Sequence, residues 1–170
     1  MLRTTLGPIE NGYATHPNVI AVAASTSLNK HAEYSNYGPQ ISVCAPSNNF
    51  PPLGDRGFAP GRGVWTIDNE GRGDDFTQNS LYTGIFGGTS SATPLVAGIS
   101  ALILSVNPEL TAAEVKDILQ ATADKIVDTG MDLTGKNHGK YNSKGHSEWF
   151  GFGKVNAAKA VAEAKIRKNN

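Results

Sequence analysis

The longest apolar stretch of the chain runs from Leu95 to Val106, and its apolar side chains recur on every face rather than along one stripe. That pattern predicts a helix buried all round, stopped by Asn107-Pro108. Ahead of it stands Gly87-Gly88-Thr89-Ser90-Ser91-Ala92-Thr93-Pro94. Two glycines allow a tight turn, three hydroxyl residues suit capping, and a first helical turn tolerates a proline, so the helix starts at or near Ser90. Val19 to Ala24 is a continuous apolar run of strand length, as expected of a strand covered on both faces in a parallel sheet. Ile41 to Pro46 alternates like a short strand ended by proline, and Val64-Trp65-Thr66-Ile67 reads as one more. Thr111-Ala112-Ala113-Glu114 is a capping box opening an amphipathic helix. Its stripe is Val115, Ile118, Leu119 and Thr122, with Lys116, Asp117 and Gln120 expected to face water. Asn156 is placed to cap a third helix. Tyr34 to Pro39 reads as a turn, and Ser47 to Gly63 and residues 128–148 read as loops. The elements predict an α/β fold, with parallel strands flanked by helices around a central buried one.

Composition narrows the function. The 170 residues suit one domain, with 1–8 as an atypical leading segment and 162–170 as a polar tail. Lys plus Arg equals Asp plus Glu at 15 each, so no net field draws the chain to nucleic acid or to an anionic membrane. The apolar run from Leu95 to Val106 is shorter than the roughly 20 residues of a membrane span. No apolar signal region follows Met1, so a soluble chain without a signal peptide is expected. The single Cys44 has no partner for an internal disulfide and reads as a small core residue.

Candidate chemistry centres on the hydroxyls before the apolar helix. On their own, Thr-Ser-Ser in that position describe an N-cap. A serine there also sits at the positive end of the helix dipole among unpaired N–H groups, where an oxyanion is stabilised. His16, His31, His138 and His146 are scattered and none has H-E-x-x-H zinc spacing. Asp68, Glu70, Asp74 and Asp75 lie among glycines but match no calcium-loop template, so a solvated loop is expected. No G-x-S-x-G elbow occurs.

G-T-S-S-A-T-P-L-V-A-G closely resembles the serine motif of subtilisin-like serine proteases, G-T-S-x-A-x-P-x-V-A-G. The likeness continues in Gly12 to Ser25, in Tyr34 to Pro46, in Val106 to Leu119 and in the closing Gly151-Phe152-Gly153-Lys154-Val155-Asn156-Ala157. Within the family it is nearest the kexin-like and cyanobacterial calcium-dependent branch. The resemblance implies part of a subtilisin-like fold and a serine endopeptidase acting by acyl transfer on a peptide or protein substrate. Ser90 takes the nucleophile position. Gly12, Tyr13 and Ala14 take the wall of the specificity pocket, with Gly88 and Thr89 also substrate-binding. Calcium comes with the family as an ion, and secretion or periplasmic residence as a frequent setting.

The departures from the family pattern carry as much weight. A Ser-His-Asp protease needs an imidazole to take the serine proton and a carboxylate to orient it. No histidine here lies in the family's H-G-T-x-V-A-G context, and no Asp motif occurs. The oxyanion asparagine of A-A-G-N-G has no counterpart in Met1 to Pro8, and Asn11 falls in the turn after that motif. The expectation is the C-terminal half of a catalytic domain, inactive alone, with a complementary N-terminal half as its partner. A non-catalytic remnant or binding module of the same origin is the alternative.

Overall fold

The computed structural model describes residues 11–49, 61–69, 81–132 and 134–168. Residues 1–8 and the acidic Glu70, Asp74 and Asp75 of the sequence analysis lie outside them. In chain order the elements are α1 (Gly12–Thr15), β1 (Val22–Ser25), β2 (Val43–Pro46), β3 (Val64–Ile67), β4 (Tyr82–Phe86), α2 (Thr89–Val106), α3 (Ala112–Ala121) and α4 (Ala157–Lys168).

β1 and β2 are parallel, in register from Val22 opposite Val43 to Ser25 opposite Pro46. Successive residues point to opposite faces, and both faces are covered. On one side Ala24, Val43 and Ala45 meet Ala92, Val96 and Ile103 of α2, Val115, Ile118 and Leu119 of α3, and Ala160 and Ala164 of α4. On the other, Ala23 and Cys44 meet Ile126, Trp149 and Phe150, all carried on loops. β2 is buried along its length rather than alternating, because its outer edge is also taken: Cys44 N–H donates to Gly153 O and Val155 N–H to Cys44 O, both at 2.9 Å. β3 falls where the apolar run predicts it and pairs antiparallel with β4. β4 gives no sequence signal, since Gly84 interrupts Tyr82-Thr83-Gly84-Ile85-Phe86 and breaks the alternation.

The helices follow their start signals. Thr111 Oγ1 accepts from Glu114 N–H, and the Glu114 carboxylate accepts from Thr111 N–H, closing the capping box. Asn156 Oδ1 accepts from Lys159 N–H at 3.0 Å, capping α4. α4 continues to Lys168, so most of the polar tail 162–170 is helix. Lys116 does not simply face water: its Nζ donates to the carbonyls of Pro17 and Val19 and ties α3 to the entrance of β1.

α2 corrects the sequence reading in two ways. Counted from Thr89 it is 18 residues, long and apolar enough by length and composition to cross a membrane. It packs instead against β1, β2, α3 and α4. Nor is it buried all round. Ser91, Ala92, Val96 and Ile103 face the core, whereas Leu95, Leu102 and Leu104 are exposed. The bare face carries no charged side chain.

Candidate active site

The turn from β4 into α2 presents the serines. Gly88, the N-cap, has φ +79° and ψ 170°, a region open essentially to glycine. Gly87 answers a different need: a Cβ there would stand 1.7 Å from Asn48 Cγ. The turn is thereby pressed onto the segment that follows β2.

A hydrogen-bond network fixes that contact. Ser47 Oγ donates to Gly88 O at 2.9 Å and lies 2.8 Å from Ser91 Oγ. Tyr34 O–H donates to Ser47 Oγ at 2.6 Å. Asn48 bridges the turn, with Oδ1 accepting from Gly88 N–H at 3.2 Å and Nδ2 donating to Ile85 O at 3.0 Å. Burial pushes the Tyr34 phenol above its ordinary pKa and keeps it a donor. Neighbouring hydroxyls are likewise engaged: Ser91 Oγ reaches Gly88 O at 3.0 Å, and Thr93 Oγ1 donates to Thr89 O at 2.9 Å. Ser90 differs. Its side chain is exposed at the first turn of α2, and no hydrogen bond engages its hydroxyl among the described residues.

Pro94 sits in the second turn of α2, deeper than the sequence analysis placed it. Having no N–H, it cannot donate to the carbonyl of Ser90, four residues earlier, and its ring crowds that carbonyl. The backbone of Ser90 is thus held less tightly by the helix than that of its neighbours, while the network clamps the turn before it.

Gly88 and Thr89 flank Ser90 directly. Gly12, Tyr13 and Ala14 form α1, where Asn11 Oδ1 accepts from Tyr13 and Ala14 N–H. Tyr13 is 84% exposed. Asn11 is therefore spent on a helix cap. Tyr34, Ser47 and Asn48 escaped the sequence analysis because their role lies in contacts to the serine turn some 40 residues or more away. The Tyr-Ser and Ala-Pro-Ser strings around them look locally like turn and strand end.

Cys44 is buried and burial pushes its thiol up to about 12, the behaviour of a core residue. The histidines are engaged elsewhere: His16 Nδ1 accepts from Asn18 N–H, His146 Nε2 pairs with Ile41 O, and His138 pairs with Glu148. His31 stacks on Trp149 at 4.8 Å.

The model of the subtilase family of peptidases matches residues 7–153. The calcium-dependent protease of Trichormus variabilis is 40% identical over 158 residues, covering 89% of this chain and 22% of the relative. Subtilisin of Bacillus pumilus is 37% identical over 116 residues, covering 66% of this chain and 32% of its own. The crystal structure of the Aeromonas sobria serine protease superposes with a TM-score of 0.67 at 25% identity, covering 95% of this chain and 33% of that one. The chain belongs to the subtilase family. It spans about a fifth of the length of the calcium-dependent protease and about a third of that of subtilisin.

Proposed function

We propose that this chain is the serine-bearing part of a subtilase peptidase, with Ser90 as the nucleophile that attacks a peptide carbonyl. One observation carries the reading: in a turn where Tyr34, Ser47, Asn48, Ser91 and Thr93 are all hydrogen-bonded, Ser90 is exposed at the positive end of α2 with a hydroxyl that no hydrogen bond engages among the described residues, whereas Thr89, whose hydroxyl is likewise unengaged, is only partly exposed. Attack by its Oγ needs a base to take the proton. None of the four histidines hydrogen-bonds to it, and none has the family's histidine context. Ser90 in this chain therefore behaves as an ordinary alcohol until a second segment brings an imidazole and its carboxylate. Gly88 and Thr89 would flank the substrate at the turn, and Gly12, Tyr13 and Ala14 would border its specificity pocket.

The partner that fits is a complementary N-terminal segment. It would supply the base and cover the bare face of α2. Two relatives are named calcium-dependent proteases. Among the described residues no three His, Cys, Asp or Glu side chains gather to hold an ion.

The test is labelling of Ser90 by a fluorophosphonate probe, for the chain alone and co-expressed with a segment carrying the family's Asp and His motifs. Labelling only in the mixed sample, abolished by Ser90→Ala, supports the reading. Labelling of the lone chain at a protease's rate overturns the need for a partner. No labelling in a complex shown to form favours a non-catalytic remnant.

A further inference from the structure

On the side of the β1–β2 pair opposite α2 lies a cavity of about 500 Å³. Its volume falls in the range of small-molecule sites. None of its lining residues belongs to α2 or to the serine turn. Among the described residues three carboxylates line it, Glu33, Asp128 and Asp132, against one cation, Lys30. Lys30 is already engaged with Asp128 at 3.4 Å. Backbone N–H groups of Thr134 and Lys136 converge on Asp132 and hold its carboxyl well below the usual range, so that it stays ionised. His31, in the same wall, has its pKa lowered to about 4 by burial and adds no positive charge at neutral pH. The described lining is net negative.

Tyr37 and Trp149 add aromatic surface to its walls. Tyr37 presents a half-exposed ring, and Trp149 is 3% exposed. The Trp149 Nε1–H and the Nε2 of His31 are buried without a hydrogen-bond partner among the described residues, a state that native side chains rarely keep. Both side chains line the cavity. Among the described residues no three His, Cys, Asp or Glu side chains gather closely enough to hold a bare metal ion, and an anion is repelled. An organic cation meets both the carboxylates and the rings.

We infer that this cavity binds an organic cation of the guanidinium or alkylammonium class, with Glu33 and Asp132 as its charge partners and Tyr37 and Trp149 as its aromatic wall. Glu33 is the free element of the site. Its carboxylate is exposed and uncommitted among the described residues, whereas Asp128 and Asp132 already anchor loop backbone. The cation could arrive free or as a basic side chain on a peptide.

The experiment uses the full chain with Trp65→Phe, which leaves Trp149 as the remaining tryptophan of 2, excited selectively over the tyrosines. It is titrated with N-acetylarginine amide, with ethylguanidine and with the neutral N-acetylnorleucine amide. A saturable change with either cation and none with the neutral compound is expected. Tighter binding of the amide identifies a peptide-borne cation, and equal binding a free one. Glu33→Gln should weaken the cation by about three-fold, as for a partly exposed ion pair. Asp132→Asn should weaken it further, and circular dichroism checks that its loop remains folded. The site is overturned if neither cation saturates, if norleucine amide binds as tightly as arginine amide, or if Glu33→Gln leaves the affinity unchanged.

Discussion

Ser47, the residue after β2, donates its hydroxyl to the carbonyl of Gly88, the N-cap of α2, at 2.9 Å. The end of the parallel pair and the start of the core helix are thereby joined at the turn that presents Ser90. Removing the buried Ser47 hydroxyl leaves Gly88 O to Ser91 alone and costs Tyr34 its shortest hydrogen bond, leaving it Asn48 O at 2.9 Å. Ser47→Ala should cost about 1–2 kcal/mol, read as a lower urea midpoint at unchanged slope.

Ser90→Ala should be nearly silent in stability, because the hydroxyl it removes is exposed and bonds to nothing among the described residues. Gly88→Val should be far worse. The space is there, since a Cβ would meet only Ser90 N at 3.6 Å, but the backbone conformation is closed to a β-branched residue. A cost of about 2–3 kcal/mol is expected. Equal thermal midpoints for the two variants would contradict the geometry.

Gly87→Ala tests the other glycine. Its Cβ would overlap the Asn48 side chain, which Ile85 O and Gly88 N–H hold in place. Either the turn moves or Asn48 gives up its bonds. Destabilisation of about 2–4 kcal/mol is expected, and Asn48→Gly in the same chain should recover part of it, a coupling that a double-mutant cycle measures.

His31 sets a pH dependence. Burial lowers its pKa from 6.5 to about 4, opposed by the carboxylate of Asp128. A depressed value means that the unfolded chain takes up the proton first as pH falls. The stability from a neutral His31 is present above pH 6.5 and is lost as pH falls toward about 4. The loss is of order 3 kcal/mol at about 1.4 kcal/mol per pH unit. His31→Phe should flatten denaturation midpoints between these pH values. An unchanged slope would show that other groups carry it.

The bare face of α2 predicts behaviour in solution. Leu95, Leu102 and Leu104 lie on a helix side with no charge to keep it solvated. The isolated chain should bind a hydrophobic dye and self-associate in size exclusion. Leu102→Lys should reduce both with little change in stability, because Leu102 is 51% exposed. A monomer that binds no dye would show that this face is covered otherwise.

Much of this architecture was legible in the residues. Glu114 three positions after Thr111, the Val115-Ile118-Leu119 stripe and Asn156 before Ala157 are local signals, and local bonds fulfil them. The doubly covered strand was legible too, since Ala23 and Ala24 face opposite layers. What escaped is what depends on distant partners. β4 exists through its pairing with β3, the bare face of α2 depends on what lies beside it, and Lys116 finds its carbonyls across the fold. At the site, the motif marked Ser90. The clamp of Tyr34, Ser47 and Asn48 appeared only once β2 and α2 were brought together.

The outer edge of β2 is closed by Gly153 and Val155, from the far end of the chain. During synthesis, Val43 to Pro46 leave the ribosome long before the residues that complete their ladder. The nascent chain therefore carries an open strand edge while residues 47–152 are made, and closing it is a long-range step of the kind that slows folding and invites mispairing. A chain stalled before Gly153 has its serine motif but not the closed edge of β2, the strand whose following residue, Ser47, holds the serine turn.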